Sequence, residues 1–267
     1  MKIIQPSAIE LKQQPGFEGM LKHIELCGRT CYKSEDKITE DSCHRFVNML
    51  REHAHGAMLE HGTVYMIIDK DNLHNVESPT ERGLEQFVLY NKYTTFRFEK
   101  DTYYITTNYR AVVENNLEWA INIYACEPTE YHIKRRTFRI TCNRGVSHEF
   151  VRHRVFSFAQ ESQRYVNYIK DKFGSEIKVI EPLYFEKDSG QYDVWKTACE
   201  DAESNYFVLI SSGATPEKAR EVLPNSVATE LIMTGFESDW EHFFNLRCAE
   251  DAHPQAQEIA NTIKEQF

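Results

Sequence analysis

The sequence predicts an α+β protein in which helices pack around a modest antiparallel sheet, organised as one domain over residues 1–267. Three observations lead there. Runs at 63–69 and 102–107 are rich in β-branched and aromatic residues, as strands are. Other stretches place apolar residues at i, i+3, i+4 and i+7, the spacing of one helix face. Helix-like and strand-like segments alternate only loosely, without the regular β-α-β units that build a parallel sheet.

Taken in order, a first helix follows Pro15-Gly16 and runs to about Cys27. A second follows Thr39 and turns Cys43, Phe46, Val47 and Leu50 inward. The runs at 63–69 and 102–107 pair in one antiparallel sheet, and 72–100 between them reads as polar and irregular. A single helix spans 110–126, with Val113, Leu117, Ala120, Ile121 and Tyr124 on one side. Residues 137–142 form another strand, and a short helix within 143–154 carries Val146 and Phe150 into an irregular stretch reaching Tyr165. A long helix after Gly190 buries Trp195, Ala198, Ala202 and Leu209, and Gly213 ends it. Thr215-Pro216 starts a further helix as N-cap and first residue. Ser238 to Glu241 is a capping box that opens a helix bearing Trp240, Phe244 and Arg247.

No repeat, low-complexity tract or Gly/Ser linker marks a domain boundary. No stretch approaches the roughly 20 apolar residues of a membrane span, and the polar amino terminus does not read as a secretory signal. A cytoplasmic protein is expected. Its seven cysteines are an odd number with no CxxC pair, so neither disulfides nor a metal site is expected, and Cys27 and Cys31 read as small buried side chains.

The net charge of −10 argues against bulk nucleic-acid binding. Between 134 and 164, however, eight basic residues face two acidic ones. Such a local excess suits a small anion. Guanidinium groups give planar, paired donors to phosphate oxygens, and a hydroxyl adds another, so Arg152, Arg154, Ser162 and Arg164 together can cradle a monophosphate. No glycine-rich phosphate loop competes for that role. Ser162 lacks an adjacent histidine base and reads as a ligand to phosphate, not a nucleophile. His53, His55 and His61 leave a second reading open, a metal-dependent hydrolase. A third is a nucleotide-binding module without catalysis.

Arg152-His153-Arg154, seven residues, then Ser162 is the RHR(X)7S pattern, and the whole run RHRVFSFAQESQRY at 152–165 resembles the flavin-dependent thymidylate synthases. The segment from His53 to Glu60-His61, the residues around Arg220 and Pro224, and Asn245-Leu246-Arg247 resemble further blocks of that family. The resemblance covers about 27–260 and is least close over 72–136. It implies the fold of that family and a homotetramer with FAD at subunit interfaces. It also implies reductive methylation of dUMP to dTMP, with methylenetetrahydrofolate as carbon donor and NADPH as reductant. By the same resemblance Arg152, Gln160, Glu161, Ser162, Gln163, Arg164, Arg220 and Arg247 hold dUMP. His55, Glu60, Arg152, His153, Arg154, Val155, His242 and His253 lie against FAD, and Arg247 favours the ionised pyrimidine. Cys31, Ala57, Glu149, Gln160 and Ser238 depart from residues found in some members.

Overall fold

The computed structural model describes residues 1–74, 79–164, 168 and 176–267. The predicted α+β class holds, but the strands form two antiparallel sheets and a small parallel pair. The pair joins β1 (Lys2–Ile4) to β8 (Lys178–Ile180). The central sheet has the order β2 (Ser7–Glu10), β6 (Arg135–Asn143), β9 (Ala228–Phe236), β7 (Ser157–Gln160). β7 falls where the sequence predicts irregular chain. Its four residues are too few to reveal an alternation, and it exists because β9 offers a free edge, with Ser157 opposite Thr234.

The second sheet has the order β3 (Thr63–Asp69), β5 (Thr102–Asn108), β4 (Thr95–Glu99). The predicted pairing of the first two is observed. The prediction of irregular chain over 72–100 is not, because α4 (Lys70–His74), α5 (Pro79–Tyr90) and β4 occupy much of it. Leu73, Leu84, Phe87 and Val88 are buried there, so a few apolar side chains anchor short elements whose outer faces are polar. The single helix predicted over 110–126 is two, α6 (Tyr109–Glu114) and α7 (Glu118–Tyr124). Asn116 separates them at φ 57°, a left-handed conformation that asparagine tolerates better than most residues.

α1 (Gly16–Tyr32) continues one turn beyond its predicted end and closes on Lys33 at φ 47°. α2 (Ser42–Glu52) buries all four residues of the predicted stripe, and α3 (Gly56–Leu59) follows it. Both longer helices share one core with the second sheet, in which Met20, Ile24, Val47 and Leu50 meet Met66, Ile68 and Ile105. Gly62 lies so close to α1 that a Cβ would stand 2.6 Å from Ile24.

A second core lies on the central sheet. α8 (Arg144–Phe150), α11 (Glu237–Arg247) and α12 (Pro254–Lys264) bring Phe150, Trp240, Phe243 and Ile259 against Phe138, Ile140 and Leu231. Asn143 caps α8 by accepting from the Val146 N–H at 2.8 Å. The box predicted at Ser238 is shifted: Phe236 is the N-cap, and Asp239 accepts its backbone N–H at 3.0 Å. A phenyl ring accepts no comparable hydrogen bond, so only this half of a capping box forms. α9 (Gly190–Ser211) turns Tyr192, Cys199 and Tyr206 inward, with Trp195 half-buried; Ala198, predicted inward, is exposed. Gly213 follows at φ 92°, as expected of a residue ending a helix. α10 (Pro216–Ala219) begins with the predicted proline. Cys27 and Cys31 join a small cluster with Ala159 and Ile232. Among the described residues, no helix is long and apolar enough to cross a membrane.

Candidate functional site

The Arg152–Arg164 run leaves α8, turns at Val151–Phe156 and enters β7, so the central sheet holds its middle while its ends remain near the surface. Arg152 and Arg154 are exposed and make no ion pair among the described residues, and Val155 between their turn and the sheet is 63% exposed. His153 points the other way and is buried against Phe243.

Arg247, at the end of α11, is fixed from two directions. Its Nε donates to His153 Nε2 at 3.0 Å, Nη1 to the Glu149 carboxylate at 2.6 Å and Nη2 to the Glu149 carbonyl at 2.8 Å. The departure at Glu149 thus supplies a carboxylate to the arginine. Since His153 Nε2 accepts, its proton resides on Nδ1. Burial first, and then the Arg247 cation, push His153 down to about 4. His242 lies beside it, ring centroids 6.3 Å apart.

The far end of the run is tied to α1. The Ser162 N–H donates to the Cys31 carbonyl at 3.0 Å, and Ser162 Oγ accepts from the Arg164 N–H at 3.3 Å. Lys33 reaches Glu230 at 2.6 Å and Glu161 at 3.4 Å. Burial raises the Glu161 carboxyl above its usual range, and Lys33 partly offsets this. Gln160 donates to Ser147 Oγ at 2.9 Å, and Gln163 bonds the Tyr168 hydroxyl. Tyr165 lies outside the described residues.

Arg144 was not singled out from the sequence as a site residue. Its Nη2 donates to the Glu161 carbonyl at 3.0 Å, while its buried Nε has no hydrogen-bond partner among the described residues. Burial and the nearby Arg220 cation both lower its pKa. One incompletely satisfied guanidinium, Arg144, therefore sits at the carbonyl that precedes Ser162, with the Arg220 cation near enough to act on it. Arg220 itself is half-buried at the end of α10, 3.8 Å from Glu221. Only the position of Arg144 eight residues before Arg152, within the basic stretch, hinted at it.

The three histidines of the hydrolase reading do not converge. His53 and His55 are exposed with ring centroids 6.2 Å apart, and His55 Nδ1 lies 3.1 Å from the Tyr32 hydroxyl. His61 is fully buried and bonded to Thr234 Oγ1 at 2.8 Å. Glu60 pairs with Arg110 at 2.7 Å. His253, the N-cap of α12, has Tyr184 as its ring neighbour at 6.0 Å and is not joined to the Arg152 run by any described contact. A cavity of about 870 Å³ beside Phe17 and Tyr65 is lined by none of the predicted site residues; another, about 820 Å³, includes Glu161.

Comparison with known proteins bears on this arrangement. A family model described as thymidylate synthase complementing protein matches residues 132–267, just over half the chain. A flavin-dependent thymidylate synthase of Pyrococcus furiosus is 31% identical over 165 residues, covering 61% of this chain and 67% of that protein. The chain belongs to the flavin-dependent thymidylate synthase family. Other relatives of the same description are matched over about half their length, among them one from Pyrococcus horikoshii at 37% identity, covering 49% of this chain and 54% of its own. A solved structure of a UMP/dUMP methylase from Streptomyces cacaoi, bound with 5-Br dUMP, covers 100% of this chain and 91% of its own at 17% identity and a TM-score of 0.46, too distant to bear on function. The family match begins where this member's chain enters β6, after the second sheet.

One pH dependence follows from the buried histidines of this family member. His23 Nε2, Thr137 Oγ1, Thr234 Oγ1 and His61 Nδ1 form a buried chain with steps of 3.2, 2.8 and 2.8 Å. Burial pushes His23 down to about 4 and His61 to about 3, alongside His153. An unfolded histidine titrates near 6.5, so the unfolded chain binds the extra protons once pH falls below that value. The stabilisation is complete above about pH 6.5 and is lost as pH falls toward 4. Near pH 5, unfolding is expected to take up about three protons from these sites. Urea unfolding measured from pH 7 to 5 should show the loss, and a free energy that stayed flat would contradict the neutral state of these rings.

Proposed function

We propose that this protein converts dUMP to dTMP by reductive methylation, with FAD, methylenetetrahydrofolate as carbon donor and NADPH as reductant. The observation that carries the reading is the juxtaposition of a fixed arginine, Arg247, with the RHR turn, inside a chain that belongs to the family.

The residues present fit FAD. Exposed Arg152 and Arg154 offer donors to its phosphates beside the apolar Val155, and His55, Glu60 and His242, the last beside His153, are further polar side chains for it. These residues, with His153 and His253, would hold the cofactor, which when bound would supply the redox chemistry. Arg220, Arg164, Ser162 and Arg144 form the phosphate side of a dUMP site, with Arg152, Gln160, Glu161 and Gln163 completing it.

Arg247 has five N–H donors, of which three are engaged by Glu149 and His153. The remaining donors can face the N3–C4=O edge of a pyrimidine. A guanidinium held there stabilises negative charge in the ring and makes its C5 a better carbon nucleophile. His153, kept neutral, orients the arginine and does not compete with it for the anion. The exposure of Arg152, Arg154 and Val155 suits a site completed by neighbouring subunits, and a homotetramer is part of the proposal.

The test is reconstitution. Purified protein supplied with FAD should become yellow and form dTMP from dUMP, methylenetetrahydrofolate and NADPH. Colourless protein that forms no dTMP under those conditions would sink the reading, and dUMP binding without turnover would favour a non-catalytic nucleotide module.

A further inference from the structure

Arg135 opens β6, where the chain returns to the central sheet after its excursion through residues 63–134. Its Nη1 donates to the Glu60 carbonyl at 3.1 Å and to Thr63 Oγ1 at 3.2 Å, while Nη2 donates to Ser157 Oγ at 3.4 Å. One planar group therefore joins three places: the end of the 55–60 segment, the first residue of the excursion, and the strand that begins three residues after Arg154. The α3 helix packs against β7 at the same junction.

All three acceptors are neutral. Arg135 makes no ion pair among the described residues, and the Glu60 carboxylate is engaged by Arg110. The Phe236 ring lies 5.6 Å from its Cζ, and burial pushes its pKa down to about 10. Glu60 and Asp239 offset that burial only in part, and a partly buried cation without an ion pair carries a desolvation cost that an apolar side chain of similar volume would avoid. Its value is geometric, because a guanidinium directs donors along fixed, diverging lines that an ammonium cannot reproduce.

We propose that Arg135 is a positioning residue for the cofactor site, setting the spacing between the 55–60 segment and the Arg152–Arg154 turn. Because the same fork holds Thr63, the ordering of the excursion is coupled to that spacing. This rests on the reading that those two segments face FAD.

The experiment compares FAD and dUMP binding by titration calorimetry for wild-type protein, Arg135→Met, Arg135→Lys and Ser157→Ala, each checked by circular dichroism and melting temperature. Loss of two or three hydrogen bonds predicts FAD binding roughly 10- to 100-fold weaker for Arg135→Met. Arg135→Lys should recover part of this, Ser157→Ala should lose roughly threefold, and dUMP affinity should stay within about threefold throughout. A folded Arg135→Met that binds FAD as wild type does would overturn the proposal, as would equal losses for FAD and dUMP. Should Arg135→Met fail to fold, Ser157→Ala decides, and unchanged FAD affinity there overturns it. Wild-type protein that binds no FAD defeats the flavin reading itself, a result distinct from the others.

Discussion

Replacing Arg247 with alanine is expected to lower the rate of dTMP formation by about 10²- to 10³-fold, the usual cost of removing a preorganised donor from developing negative charge. The flavin spectrum should persist, because α8 and β7 hold the two ends of the RHR turn and His153, though it loses its bond from Arg247, stays packed against Phe243. Arg247→Lys should recover little. An ammonium cannot span His153 Nε2, the Glu149 carboxylate and the Glu149 carbonyl at 3.0, 2.6 and 2.8 Å while presenting further donors to a substrate. Single-turnover rates on the flavin-loaded variants separate this loss from weaker binding. A variant that turns over within threefold of wild type would remove Arg247 from the chemistry.

The largest effect on stability is expected at Trp240. It is fully buried, has Phe138, Phe156, Phe243 and Phe244 around it at centroid distances of 5.0, 4.6, 5.4 and 6.1 Å, and donates from Nε1 to the Arg136 carbonyl at 3.2 Å. Trp240→Ala should cost about 3–5 kcal/mol, combining lost burial with a cavity that rigid ring neighbours cannot fill. Trp240→Phe keeps most of the packing and should cost well under half of that; it leaves the Arg136 carbonyl without its partner. Urea midpoints at constant slope provide the comparison. A loss near 1 kcal/mol for the alanine variant would mean that α11 shifts inward to close the gap.

What could be read from the sequence depended on whether the signal was local. The α2 stripe of Cys43, Phe46, Val47 and Leu50 repeats at helix spacing and was correct to the residue. In α9 the apolar residues are spread around the helix, and only the neighbours select Tyr192, Cys199 and Tyr206 over Ala198. The break at Asn116 was invisible because apolar spacing continues across it. β4 is a half-exposed edge strand, whose residues Thr95, Phe96 and Arg97 show no clear alternation. For the site, Arg152 and Ser162 were legible because a fixed spacing within one segment marks them. Lys33 and Arg135 were not, because Lys33 meets residues over a hundred positions away and Arg135 joins Glu60 and Thr63, over seventy positions away, to Ser157. His61 beside Glu60 looked equivalent to His53 and His55, and only tertiary burial separated them.

The excursion through 63–134 leaves and re-enters the central body at two residues bonded to each other, so by its endpoints alone it looks excisable. Its inner surface says otherwise. Met20, Leu21 and Ile24 of α1 and Val47 and Leu50 of α2 are dry only because β3, β5 and their helices cover them. A shortened gene that rejoined Thr63 to Arg135 would preserve the local connection while uncovering a broad greasy face. Such a chain would trade folding for self-association, and the segment is therefore a structural dependency of the body it leaves and rejoins.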